Sequence, residues 1–198
     1  MLTAIKQLLF LRGHRLFLRP YELNIVGVRS KIRKANSFDD TIHVFYTDEN
    51  GNWKIHSYTA TTDPGTHWLQ EPLNNNGTAI LKTGQYIDSY QLGLHRGKYR
   101  ALIQAKPVTV FRDNNKNSTI DLNPQHTETG MFGINIHRAA IQGTTSRVDA
   151  YSAGCQVFAN AADFTVFINL CQIHKERYGN HFTYTLLDDV FQQQQAAA

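Results

Sequence analysis

Two side chains in the second half of the chain have the types and spacing for nucleophilic chemistry. Cys155 directly follows Gly154 in the run Ser152-Ala153-Gly154-Cys155, and a cysteine behind a glycine can sit on a tight turn with its sulfur exposed. His137 ends an alternating apolar run of Met131, Phe132, Ile134 and Ile136. An imidazole folded against a thiol can take its proton, which is the minimal equipment for a thiolate nucleophile. Gly154 leaves the approach to the sulfur open, and backbone N–H groups around Gly154 and Cys155 could hold an oxyanion. A backbone carbonyl, Ser152 or Asp149 could orient His137. Arg138 could meet a substrate carboxylate or stand as a solvated charge, and Tyr151 is a further candidate for substrate contact.

The spacing from His137 to Ser152-x-Gly154-Cys155 resembles the signature of the L,D-transpeptidase (YkuD-type) catalytic domain. That pattern is a His, a stretch of strand and loop, then Ser/Thr-His-Gly-Cys, a hydrophobic residue and Arg or Asn. Ser152, Gly154, Cys155 and His137 match it. Ala153, Gln156 and Val157 stand where the pattern has the second His, the hydrophobic residue and the Arg or Asn. The resemblance implies acyl transfer through a cysteine acyl-enzyme on peptidoglycan stem peptides, with release to an amine or to water. It also implies action on the bacterial cell wall. A binding or structural module that keeps the scaffold without the chemistry is the competing expectation.

These residues must be carried by a scaffold, and the hydrophobic pattern predicts a mainly β one: a sandwich or half-barrel with one helix after the cysteine and a short N-terminal helix. Strands are predicted over 22–29, 41–46, 53–58, 79–81, 84–94, 99–105, 108–111, 131–137, 148–151 and 181–187. Asn50-Gly51 between two alternating runs marks a hairpin. The stretch 59–65 is either a connecting loop or part of a substrate groove, and His95-Arg96 falls in a turn between strands, as a solvated tip or a substrate contact. Asn160 can cap a helix running through Phe164, Phe167, Ile168 and Cys171, with Gly179 as its stop. The expected organisation is an N-terminal helical arm over 1–19, one catalytic domain over 20–190 and a disordered Gln/Ala tail over 191–198.

The 198 residues are enough for one full hydrophobic core, and 41% hydrophobic with 18% charged residues is ordinary for a globular domain. A net charge of +4 favours anionic partners, but no stacking-aromatic motif accompanies the Arg29 to Lys34 run, so nucleic acid is not expected. Two cysteines exclude a disulfide scaffold, and Cys171 falls on the apolar face of the predicted helix as an inert thiol. The apolar run Leu8 to Leu11 is too short for a signal-peptide core, and no run could span a membrane. A wall substrate would therefore be reached by phage lysis or a secretion apparatus. No cofactor is expected. Asp113, Asn115, Asn117 and Asp121 occupy positions of an EF-hand-like calcium loop, but Ser118 and Pro124 replace its Gly and bidentate Glu, and an Asn-rich turn gives the same letters.

Overall fold

A computed structural model describes residues 1–189. In chain order the elements are α1 (Leu2–Leu11), β1 (Asn24–Arg29), β2 (Asp40–Thr47), β3 (Trp53–Thr61), α2 (Thr66–Gln70), β4 (Thr78–Leu81) and β5 (Gly84–His95). There follow β6 (Tyr99–Gln104), β7 (Val108–Asp113), β8 (Thr127–Gly130), β9 (Ile136–Arg138), a 3-10 turn at Asp149–Tyr151, β10 (Gln156–Phe158), α3 (Ala161–Tyr178) and β11 (Phe182–Asp188). The protein is mainly β. Eight strands close into a barrel in the order β1-β11-β5-β6-β9-β10-β3-β2, and β4-β7-β8 form a second, small sheet. Closure goes further than the expected half-barrel. It depends on β11, which pairs parallel to β1 on one side and antiparallel to β5 on the other.

The hairpin signal is realised: β2 and β3 pair from Asp40↔Ala60 to Thr47↔Trp53, and the Asp48 carboxylate accepts from the N–H groups of Asn50 and Asn52 to fix the turn. β1 and β2 are buried on both faces. Ile25, Ile42 and Val44 join the main core, where they meet Phe164, Phe167 and Leu170 of α3. Val26, Val28 and Phe45 form a second cluster with Ile5 and Leu9 of α1. The N-terminal arm is thus a docked helix, ended at Leu11 by the turn through Gly13, whose φ is +65°.

α3 begins as predicted, with Asn160 Oδ1 accepting from the N–H groups of Ala162 and Asp163, and ends at Gly179. His174 bolts it to the barrel: its Nδ1 accepts from Leu23 N–H at 3.1 Å, which leaves Nε2 to donate to His181 O at 3.1 Å. Two expected strands fail. The run 131–137 is not one strand, because Gly133 takes a φ of +71° and only Ile136–Arg138 pair in the barrel; Thr127–Gly130 pairs instead with β7. The segment 148–151 is a 3-10 turn rather than a strand, with Asp149 at a φ of +40°. α2, β8 and β10 were not expected, and each is too short, at five, four and three residues, for its period to repeat clearly. The Gln/Ala tail expected over 191–198 lies outside the described residues. Among the described residues no helix is long and apolar enough to cross a membrane.

Candidate active site

β9 and β10 lie side by side and parallel, with Ile136↔Gln156, His137↔Val157 and Arg138↔Phe158 in register. Side chains paired across such a ladder point to the same face and alternate along each strand. Gln156 N–H donates to Asn135 O at 2.9 Å, which extends the ladder back to Asn135 and Cys155. Asn135, His137 and Cys155 therefore share one face, with His137 diagonal to Cys155, a relation that spans about 7 to 8 Å between backbones and is within reach of long side chains.

The turn before the cysteine is built from its own residues. Ser152 is fully buried; its hydroxyl donates to Cys155 O at 2.8 Å and accepts from Gly154 N–H at 3.1 Å. Gly154 has a φ of +118°, and a Cβ there would lie 2.1 Å from Ala79 O. The glycine is thus required by the β4 backbone pressed against it rather than by an open approach to the sulfur. Of the two N–H groups expected around an oxyanion, that of Gly154 is occupied by Ser152. Cys155 N–H forms no hydrogen bond among the described residues and is the one left for the role.

Cys155 is half-buried and free. Its Sγ accepts from Asn135 N–H and donates to Gly133 O, both at 3.4 Å, and among the described residues it forms no hydrogen bond to His137. Burial pushes the thiol up to about 11, against the opposing pull of the Asn135 N–H and the positive field of Arg96. His137 is buried, and its Nδ1 lies 2.8 Å from Arg138 O. A ring nitrogen facing a carbonyl must carry the proton, so Nε2 holds the free lone pair. Of the alternatives for the group that orients His137, the geometry selects a backbone carbonyl. Asp149 is bonded to Asn36 instead. Burial, helped by His95 and Arg96, holds His137 down to about 3, so the imidazole is neutral at rest.

Three neighbours complete this pair: Asn135 and Tyr99 had no expected role, and His95, expected as a solvated tip or a substrate contact, is buried. His95, at the end of β5, stacks on His137 with ring centroids 4.1 Å apart and planes 24° apart. Its Nδ1 lies 3.2 Å from Asn135 Nδ2 and accepts from that amide. Asn135 is fixed on every side: Oδ1 accepts from Gln104 N–H at 2.9 Å while its own N–H reaches the sulfur. Tyr99, opposite His95 in the β5–β6 hairpin, places its hydroxyl 3.3 Å from both His137 Nδ1 and Arg138 O. The signal for His95 and Tyr99 was the pair of rings flanking the Arg96-Gly97 turn; nothing short of the fold could bring them to a histidine some forty residues on.

Arg138 lies over the Tyr99 ring at 4.5 Å and donates to Ile141 O, which keeps its charge at the edge of the site. Tyr151 is 42% exposed on the 3-10 turn and makes no hydrogen bond or ring contact with the Cys155 group. Of the stretch 59–65, residues 60–65 are buried, and Gly65 N–H donates to Ser152 O at 2.9 Å. Gln156, where the resembled pattern has an apolar residue, is fully buried and fully bonded, accepting from Tyr184 Oη at 2.8 Å and donating to Gly154 O at 3.2 Å. The loop from Asp113 to Asp121 is closed on itself: Asn115 bonds Asp121, Asp113 accepts from Asp121 N–H, and Asn117 accepts from Thr119. Among the described residues no cluster of three or more His, Cys, Asp or Glu is arranged to hold a metal. The polar cleft lined by Arg112, Asp113, Asn115, Asp121 and His126 lies at that loop and contains none of the Cys155 group. No protein-family model, curated protein or solved structure matches the chain.

Proposed function

We propose that the protein is a cysteine-dependent acyl-transfer enzyme of L,D-transpeptidase type, with Cys155 as nucleophile and His137 as general base. The observation that supports it best is the β9–β10 register, which sets Cys155 and His137 on one face while Arg138 O pins Nδ1 and leaves Nε2 open. The thiol attacks a peptide carbonyl as its proton passes to His137 Nε2. The C–S bond forms, the carbonyl electrons move to oxygen, and Cys155 N–H meets the oxyanion. Collapse breaks the C–N bond and returns the proton from His137 to the leaving amine. An amine or water then attacks the thioester, releases the thiol and gives a cross-link or a hydrolysed peptide. The neutral resting pair fits base catalysis during attack better than a preformed thiolate and imidazolium. The acyl donor proposed by resemblance is a peptidoglycan stem peptide, cut before its terminal D-Ala, and the place of action is the bacterial wall.

Digestion of purified muropeptides followed by mass spectrometry is the test. Loss of D-Ala or formation of a cross-link is expected with the native chain and not with Cys155→Ala of unchanged thermal midpoint; equal products from both proteins would end the proposal. The second reading, a wall-binding module on the same scaffold, is favoured by the missing Sγ–His137 hydrogen bond. It predicts retention on wall material with no fragment released.

A further inference from the structure

α1 and the strap after it carry exposed apolar and basic side chains on a fixed backbone. Ile5 and Leu9, buried against Val26, Val28 and Phe45, set the rotation of the helix, and Phe10 (82% exposed) and Leu11 (66% exposed) are left projecting at its C-terminal end. The strap, residues 12–19, is clamped by its backbone. Arg15 exchanges two hydrogen bonds with the Gln85 amide, at 2.7 and 2.8 Å, and Phe17 exchanges two with the Asn24 amide, both at 2.9 Å. Leu18 O accepts from Thr47 Oγ1 at 2.9 Å, yet the Leu18 side chain remains 62% exposed. These apolar groups cannot fold under, because the backbone that carries them is tied down.

Residues 1–21 contain Lys6, Arg12, Arg15 and Arg19 and no Asp or Glu. Arg19 is paired with Glu22, and Lys6 is set back over the Trp53 ring. Among the described residues Arg12 and Arg15 form no ion pair.

We propose that this face docks on an anionic bilayer surface, with Phe10, Leu11 and Leu18 entering the headgroup boundary and Arg12 and Arg15 at the level of the lipid phosphates. A soluble polyanion would satisfy the guanidiniums and leave three apolar side chains in water. A second copy of the chain would bring the same cations face to face. A bilayer with anionic lipid answers both halves of the surface. The proposal does not depend on the chemistry of Cys155.

Flotation of the full chain with vesicles of phosphatidylcholine alone, and of phosphatidylcholine mixed with phosphatidylglycerol, tests it. Binding to the mixed vesicles is expected, weakened about tenfold or more by Phe10→Ser with Leu11→Ser and by Arg12→Gln with Arg15→Gln. A Phe10→Trp variant should show a blue-shifted emission on the mixed vesicles only. Equal recovery from neutral vesicles, or undiminished binding by the serine variant, overturns the proposal, the latter in favour of capture by charge alone. Self-association lost in the serine variant, without vesicle binding, overturns it in favour of a contact between copies.

Discussion

The sulfur of Cys155 lies between two backbone groups with opposite demands. Asn135 N–H favours the thiolate, Gly133 O favours the thiol, and burial adds to the second. Alkylation by iodoacetamide, followed by mass spectrometry, should therefore be slow at neutral pH and still be climbing beyond pH 9, toward the value of about 11. Arg96→Gln should slow it further at any fixed pH, since that cation lowers the thiol. Cys171, fully buried and pushed higher still, should react only on unfolding. A rate that levels off near pH 7 would contradict this account. Gly154→Ala should lower stability by about 2 to 4 kcal/mol in denaturant titration, because the added methyl meets the Ala79 carbonyl and φ is positive. Cys155, Gly154 and His137 were legible as residues because a thiol, a glycine and an imidazole are types that stand out alone. Asn135 and Gln156 were not, since their amides acquire a role only through partners such as Gln104, His95 and Tyr184.

Among the elements, the β5–β6 hairpin supplies what the β9–β10 pair lacks. It lays His95 against one face of the His137 ring and Tyr99 at its edge, so that the imidazole has one orientation. Under the proposed chemistry, His95→Ala should reduce kcat by up to about a hundredfold through misplacement of His137, while Cys155 alkylation is unchanged. His174 plays the corresponding role for α3. His174→Ala leaves Leu23 N–H without its acceptor, and a loss of about 1 to 3 kcal/mol is expected by thermal or urea unfolding. Long elements such as α3 and the β2–β3 hairpin were readable because caps, stops and alternation repeat over many residues. The three-residue strands β9 and β10 were not, because three residues carry no period and their pairing is settled by distant neighbours.

At the scale of the whole molecule, the barrel closes over a buried ionic group. Arg29 lies 2.9 Å from Asp63, and Asp40 accepts from Ser30 N–H, Thr62 N–H and Thr62 Oγ1. Burial and the neighbouring Asp63 raise Asp40 to about 7. A carboxyl raised on folding favours the native state below its ordinary range, and that contribution is lost as pH rises through about 7. His43 and His137, lowered to about 4 and about 3 by burial, act in the opposite sense: their contribution is full above the ordinary imidazole value and is lost as pH falls toward those values. His14, His95 and His174 are lowered as well and Asp63 and Asp113 raised, so five histidines stand against three carboxyls on the acid side. Stability should climb from pH 4 to about 6.5 and then decline toward pH 7.5. Relative to wild type, Asp40→Asn should gain as pH rises from 5 to 8, read as the pH slope of the urea midpoint; parallel slopes would argue against a raised Asp40. The sequence by itself determined a mainly β chain, the hairpin and the capped helix, and it marked Cys155 and His137 by type, since these rest on local periodicity and residue identity. Only the tertiary structure decided that the sheet closes, which rings surround His137 and which group holds its proton, because those depend on hydrogen bonds and stacking between segments that meet only when the barrel is complete.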